Sequence, residues 1–157
     1  APVGEVQAAI ENVNWPEVKA PRIQTVLREI TQERESLNLD FLRDLPLSES
    51  TQWLNHFDGV GPKTTACVLL FSCQRAILPV DVHVERTSKR IGLIGKKVSA
   101  EKAHTLLQAL LPQDARSIYN FHKALLRHGQ RICVFERPRC KQCNLTDICD
   151  YYQSLSH

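Results

Sequence analysis

The sequence predicts an all-α protein built as two helical lobes with a cleft between them. Apolar residues recur at helical spacing through most of the chain, and no convincing pair of β-strands is present. Helix start and stop residues interrupt this pattern at short intervals, so the connections have the lengths usual between packed helices. We place the first lobe at residues 1–78 and the second at residues 79–157.

Each predicted helix has its own local signal. Pro21 is expected in the first turn of the second helix, where its missing N–H costs little, and Pro62 at the first position of a later one. Asp40, Ser48 and Ser99 are expected as N-caps. The first two predicted helices span residues 3–13 and about residue 21 to the loop at residues 36–38. The others span residues 40–45, 48–57, 62–73, 82–91, 99–111 and about 114–132.

Composition and charge narrow the class of protein. Hydrophobic residues make up 43% of the chain, which argues against disorder, and no apolar run is long enough to span a membrane. No secretory signal opens the chain, which starts in mid-pattern, so we expect a preceding segment. The net charge is +3, but basic residues cluster within residues 82–97 and 127–141. Such patches suit a partner with phosphates, although charge alone favours solvated helix faces.

A two-glycine turn joins two of the predicted helices. Gly59, Val60 and Gly61 precede Pro62, Lys63 and Thr64. Glycine at both positions allows a positive φ and lets another backbone come close, while Val60 can fill the turn. The free N–H groups of the following helix can bind phosphate, so this turn could hold one DNA strand without reading its sequence. The Gly-Val-Gly sequence alone describes an ordinary helix corner about as well.

Lys63 and Asp81 are the candidate catalytic pair. Lys63 lies in a first turn, where the positive helix end and partial burial would favour the neutral amine that a nucleophile needs. Asp81 follows an apolar run and precedes a helix, which also makes it a good N-cap. Taken singly, a first-turn lysine is usually a surface residue and such an aspartate is usually structural.

Four of the six cysteines form a tight group in the spacing Cys-x6-Cys-x2-Cys-x5-Cys. A secreted disulfide framework would spread its cysteines, so the group indicates a metal site in a reducing compartment. Ligand type alone allows either tetrahedral zinc or a [4Fe–4S] cluster. The ligands would be Cys133, Cys140, Cys143 and Cys149. Between and beside them, Arg137, Arg139 and Lys141 could contact phosphates, whereas Cys67 and Cys73 are expected in the core.

These motifs together resemble the endonuclease III family of helix-hairpin-helix DNA glycosylases. The resemblance rests on Gly-Val-Gly-x-Lys-Thr, on Val-Asp-x-His after the interval typical of the bifunctional members, and on the 6-2-5 cysteine spacing. It covers essentially the chain from Val6 to Tyr152. Pro62 departs from the basic residue often found there, which removes one phosphate contact. The family also has N-terminal helices that this sequence does not show.

The resemblance implies a base-excision repair glycosylase with AP lyase activity and a [4Fe–4S] cluster. Lys63 would attack C1′ of a damaged nucleoside and form a Schiff base, with Asp81 assisting, and β-elimination would cut the strand. The damaged base, which we expect to be an oxidised pyrimidine, would be flipped out of double-stranded DNA. Trp15 stands about where family members place a side chain that wedges into the base stack, although helix packing would explain it as well. Gly59, Val60, Gly61 and Thr64 would hold the DNA backbone.

Three other functions stay open at this point. A monofunctional glycosylase for mismatched or alkylated bases would lack lyase activity, a non-catalytic DNA-binding module would bind without cutting, and an electron carrier would need no hairpin. We expect a monomer that acts inside the cell, in the cytoplasm or nucleoid if the organism is bacterial or archaeal.

Overall fold

The computed structural model describes residues 1–155, and every regular element in that range is helical. The all-α prediction is therefore confirmed for this part of the chain. No helix within it is both long and apolar enough to cross a membrane. The α-helices are α1 (Val3–Ala9), α2 (Pro16–Arg34), α3 (Leu47–Asn55), α4 (Pro62–Cys67), α5 (Val82–Ile91), α6 (Ala100–Ala109), α7 (Ala115–Arg131) and α8 (Asp150–Gln153). Short 3₁₀ segments cover Asp40–Arg43, Cys140–Gln142 and Thr146–Ile148, and a π-helical segment covers Val68–Ser72.

The chain forms two compact units that divide inside the predicted hairpin, after Gly61. The first unit is Ala1–Gly61, and the second begins at Pro62. The lobe boundary that we expect after residue 78 lies inside the second unit and stays a prediction, as does the cleft. One consequence matters for the site, because Lys63 and Asp81 belong to the same unit.

The first unit is organised around the long helix α2. Pro16 occupies its first turn, so the prediction for Pro21 was wrong, since that residue lies inside the helix. Pro21 has no N–H to donate to the carbonyl of Glu17, and the helix continues with one backbone hydrogen bond fewer. The apolar residues Ile23, Val26, Leu27 and Ile30 recur at the spacing expected for one helical face, but only Ile30 is buried, at 5% exposure. Ala20 has no exposed surface and supplies the other buried position of α2.

An aromatic group completes the core of the first unit. The rings of Phe41 and Phe57 each meet Trp53 edge to face, with centroids 4.9 and 4.8 Å away. Phe57 is buried at 2% exposure and stands immediately before the hairpin loop. Edge-to-face aromatic pairs add to the stabilisation that comes from burial alone, so the start of the loop is anchored to packed side chains.

The second unit has the larger apolar core. Its helices α5 and α7 pack against each other, and α6 and the segment after α4 add side chains to the same core. Two sequence-predicted caps are present, since Asp81 caps α5 and Ser99 caps α6. The caps predicted at Asp40 and Ser48 were wrong, because Leu39 and Pro46 occupy those positions. The buried core comprises Leu70, Leu78, Val80, Val84, Ile94, Ala103, Leu107, Ile118 and Leu125.

Candidate active site and cysteine loop

The hairpin loop closes through a tight turn at the end of the first unit. The carbonyl of Phe57 accepts a 3.0 Å hydrogen bond from the Val60 amide. Gly59 has a φ of +78°, the left-handed region that glycine enters without steric cost. Gly61 has no such φ, so only Gly59 uses the conformational freedom that both glycines allow. The space where a Gly61 side chain would begin is open, which leaves its backbone approachable.

Helix α4 begins with Pro62 at its first position, as the sequence predicts. Lys63 and Thr64 follow in the first turn, and both side chains are exposed. The partial burial that we expected for Lys63 is therefore wrong.

Asp81 is the N-cap of α5, and only one of its two carboxylate oxygens makes the cap hydrogen bonds. Its Oδ1 accepts hydrogen bonds from the His83 amide at 2.9 Å and the Val84 amide at 2.8 Å. Because both bonds use one oxygen, capping α5 does not occupy Oδ2. The side chain is only partly buried. The structural role expected for an aspartate before a helix and a chemical role in a site are thus compatible.

Cys67 connects the two candidate catalytic residues. Burial raises the pKa of its thiol, while the charge of Lys63 and a side-chain hydrogen bond with Lys63 lower it, and the charge of Asp81 raises it again. The amine and the carboxylate therefore act on the same sulfur atom. Cys67 is only partly buried, so its assignment to the core was wrong, whereas Cys73 is buried as expected. The signal that could have identified Cys67 is its position one helical turn after Lys63.

The four clustered cysteines converge on one cavity in the second unit. Cys133, Cys140, Cys143 and Cys149 all line it, together with His128 and Tyr151 among others. Burial raises the pKa of the Cys140 thiol, and the charges of the other three cysteines raise it further. Four thiols close enough to affect one another electrostatically form a candidate ligand set. Among residues 1–155, however, no group of three or more ligand side chains is arranged to hold a single metal ion.

The surroundings of these sulfurs suit thiolates. The Leu145 amide donates to Cys143 Sγ at 3.4 Å, and His128 Nε2 lies 3.6 Å from the same sulfur. Arg90 Nη1 lies 3.4 Å from Cys133 Sγ as a donor. Hydrogen bonds donated to sulfur stabilise its negative form and influence the potential of iron–sulfur centres. The donor set and its neighbours therefore fit a thiolate-bound cluster.

The other predicted DNA contacts are accessible. Arg137, Arg139 and Lys141 are all exposed. The loop that carries them is fixed where the Arg139 amide donates to the Ile132 carbonyl at 2.8 Å. Trp15 is 70% exposed and has a φ of +61°, which is unusual for a residue other than glycine. Its exposure does not agree with the alternative that Trp15 is a helix-packing residue.

Comparison with known proteins relates this chain to DNA glycosylases and to endonuclease III. No protein-family profile matches the chain. An Arabidopsis thaliana protein named as a candidate DNA glycosylase is 36% identical over 115 residues, which is 73% of this chain and 38% of that protein. Endonuclease III of Thermotoga maritima is 34% identical over 105 residues, covering 67% of this chain and 48% of the relative. A solved structure of a trapped covalent endonuclease III–DNA intermediate superposes with a TM-score of 0.81, at 24% identity, over 100% of this chain and 68% of that one.

The chain is an endonuclease III-like helix-hairpin-helix protein. It spans 38% and 48% of the length of the two curated relatives. The sequence identity to the solved structure is 24%, so the structural comparison establishes the fold alone.

In this endonuclease III-like chain, two arginines that the sequence analysis did not single out join α5 to the cysteine loop. Arg86 Nε donates to the Cys133 carbonyl at 3.0 Å, and its Nη2 to the Gly129 carbonyl at 2.8 Å. Arg90 donates to the carbonyls of Val134 and Phe135, each at 2.7 Å. The sequence places both residues in a basic stretch, and their spacing of one helical turn was the available signal that they share a face.

Proposed function

We propose that the complete protein is a base-excision repair DNA glycosylase with AP lyase activity. The observation that carries this proposal is that Lys63 and Asp81 lie in one compact unit and that the charges of both act on the Cys67 thiol. The names of the relatives support it, since one is a candidate DNA glycosylase and another is endonuclease III. The solved structure of endonuclease III trapped covalently on DNA supports the lyase part.

The proposed chemistry uses the amine of Lys63 as nucleophile. Its neutral Nζ forms a bond to C1′ while the bond from C1′ to the base breaks, and the base leaves with that electron pair and is protonated. The sugar ring opens to give an iminium between Lys63 and C1′. Loss of a proton from C2′ then expels the 3′ phosphate, which cuts the strand. Asp81 stabilises the positive charge that develops at the sugar, a role for which Oδ2 is suitably placed outside the N-cap bonds.

We further propose how the DNA is held. Backbone groups at Gly59, Val60 and Gly61, with Thr64 at the start of α4, bind one strand through its phosphates. Arg137, Arg139 and Lys141 supply exposed positive charge for a further stretch of backbone. Trp15 fills the space left when the damaged base is flipped out, a role that its exposed indole suits. The substrate is double-stranded DNA with a damaged base, for which we propose an oxidised pyrimidine, and the protein acts as a monomer inside the cell.

Cys133, Cys140, Cys143 and Cys149 are proposed to hold a [4Fe–4S] cluster. The donors near Cys133 and Cys143 support this assignment. When bound, the cluster supplies four metal–sulfur links that join the ends of the loop. Because the links would fix Arg137 and Arg139 between ligands, the cluster's proposed role is structural.

The test is borohydride trapping on a duplex with a single abasic site. Reduction converts an iminium into a stable amine, so the full-length protein should give a covalent protein–DNA band. Lys63→Ala should abolish the band. Lys102→Ala is the matched control because it removes an exposed lysine from the first turn of another helix, α6, and should leave the band unchanged.

The outcomes separate the alternative functions. Base release without any trapped band would indicate a monofunctional glycosylase. Binding to the duplex with neither base release nor a band would indicate a DNA-binding module. A band that persists in Lys63→Ala would show that another amine is the nucleophile and would contradict the proposed role of Lys63.

A further inference from the structure

Arg22 of helix α2 lies directly against the hairpin loop. A Cβ atom built on Gly59 would be 3.0 Å from Arg22 Cδ, 3.4 Å from Nε and 3.6 Å from Nη1. The stem and the guanidinium of Arg22 therefore cover the position where any other residue would place its side chain. The positive φ of Gly59 is the reason that glycine suits this position, and the absence of a side chain leaves room for Arg22 to lie over the loop.

The charge partner of Arg22 is also in this loop. Its Nε lies 3.7 Å from Asp58 Oδ2, which is longer than a hydrogen bond. The two side chains are 53% and 83% exposed, respectively. An exposed ion pair at this distance is weak and screened by salt. Asp58 therefore keeps the guanidinium near the loop without binding it firmly.

We propose that Arg22 is an additional phosphate ligand of the hairpin, and that the DNA phosphate replaces Asp58 as its partner. This inference rests on the proposed binding of a DNA strand by Gly59, Val60 and Gly61. The guanidinium can offer two parallel N–H donors to a phosphate, which a backbone amide cannot. Asp58 competes weakly for Arg22 in the free protein, and the phosphate takes its place when the strand binds.

The experiment measures binding of the full-length protein to an undamaged and an abasic duplex across a series of salt concentrations. Arg22→Ala should weaken binding to both duplexes by about 3- to 10-fold at low salt and reduce the slope of log affinity against log salt by about 1. Asp58→Asn should tighten binding to both, because the guanidinium is then free for the phosphate. Arg28→Ala is the matched control, since Arg28 is an exposed arginine of the same helix whose side chain bonds Gln24.

The two single variants move affinity in opposite directions, so a general loss of structure cannot mimic the result. If Arg28→Ala lowers affinity and slope as much as Arg22→Ala does, the effect is net charge and the proposal is wrong. Unchanged binding in Asp58→Asn together with an unchanged salt slope in Arg22→Ala would also overturn it. Borohydride trapping by wild-type protein separates this failure from a failure of the proposed function, because trapping requires Lys63 whether or not Arg22 binds phosphate.

Discussion

Replacing Gly129 by alanine should destabilise the second unit, although alanine is the better helix former. Gly129 lies in α7 and is buried where that helix packs against α5. An added Cβ would lie 2.8 Å from His83 Cβ, 3.0 Å from Thr87 Oγ1 and 3.1 Å from the His83 carbonyl oxygen. Two of these three atoms, His83 Cβ and O, are fixed by the backbone of α5, so the contact can be relieved only by moving the helices apart.

The expected magnitude follows from two opposing effects. A helical Gly→Ala change contributes about 1 kcal/mol of stabilisation, whereas forcing an extra carbon into a packed interface costs about 1–3 kcal/mol. Moving the helices would also lengthen the 2.8 Å bond from Arg86 to the Gly129 carbonyl. A loss of a hydrogen bond to a charged group adds about 1.5–3 kcal/mol if it is complete. We therefore expect a net loss of about 1–3 kcal/mol in the free energy of unfolding.

Urea unfolding followed by far-UV circular dichroism measures this change. Gly4→Ala is the control, because Gly4 is also helical and no atom lies within 4 Å of an added Cβ. The control should be neutral or slightly more stable. A Gly129→Ala protein that is as stable as wild type would refute the reasoning, since it would show that α5 and α7 can separate at little cost.

Three further predictions concern the site, the core and the loop. Asp81→Asn keeps an oxygen that can cap α5, so unfolding by urea should change little while borohydride trapping falls at least about tenfold; equal trapping would exclude a role for the charge. Burial is the main cause that lowers the pKa of His104 below its ordinary value of 6.5. The unfolded chain therefore binds a proton at His104 more readily than the folded protein does. The stability that this histidine contributes above about pH 6.5 is lost as the pH falls. The urea midpoint of His104→Asn should therefore drop less than that of wild type between about pH 7.5 and 5, and parallel curves would show that other groups control the acid response. Cys143→Ala should lower the iron and sulfide bound per protein, whereas Cys73→Ala should not; undiminished iron in Cys143→Ala would contradict the proposed ligand set.

Local signals in the sequence predicted much of the secondary structure because they act over a few residues. The caps at Asp81 and Ser99 and the proline that begins α4 each depend on the hydrogen bonds of one helical turn. The error at Pro21 has a comparable local cause. Pro16 already supplies a suitable first turn, and a helix tolerates a later proline when the rest of it is long enough to offset one lost bond.

The parts of the site that the sequence did not predict depend on packing between distant segments. The exposure of Cys67 and its contact with Lys63 could be suspected from their spacing, but burial is decided by what packs on α4. The π-helical segment Val68–Ser72 was also missed, because one wider turn rotates the residues after it without leaving a clear break in the apolar pattern. The sequence shows Arg86 and Arg90 only as part of a basic stretch. Their role depends on the cysteine loop lying against α5, where its carbonyls accept hydrogen bonds from both side chains.

Helix α5 links the cysteine loop to Asp81, so the loop could affect the proposed chemistry at Asp81 without taking part in it. Asp81 caps the start of the helix, and its Oδ1 bonds the amide of His83, whose ring accepts from Arg86 at 3.1 Å. Arg86 in turn bonds the Cys133 carbonyl. If the loop lost the proposed cluster, the Cys133 carbonyl would be a less fixed partner for Arg86, and the helix that carries Asp81 would lose one of the contacts that orient it. In the proposed enzyme, the loop would therefore contribute by bracing the helix that carries the Asp81 carboxylate, which is a mechanical role that requires no electron transfer.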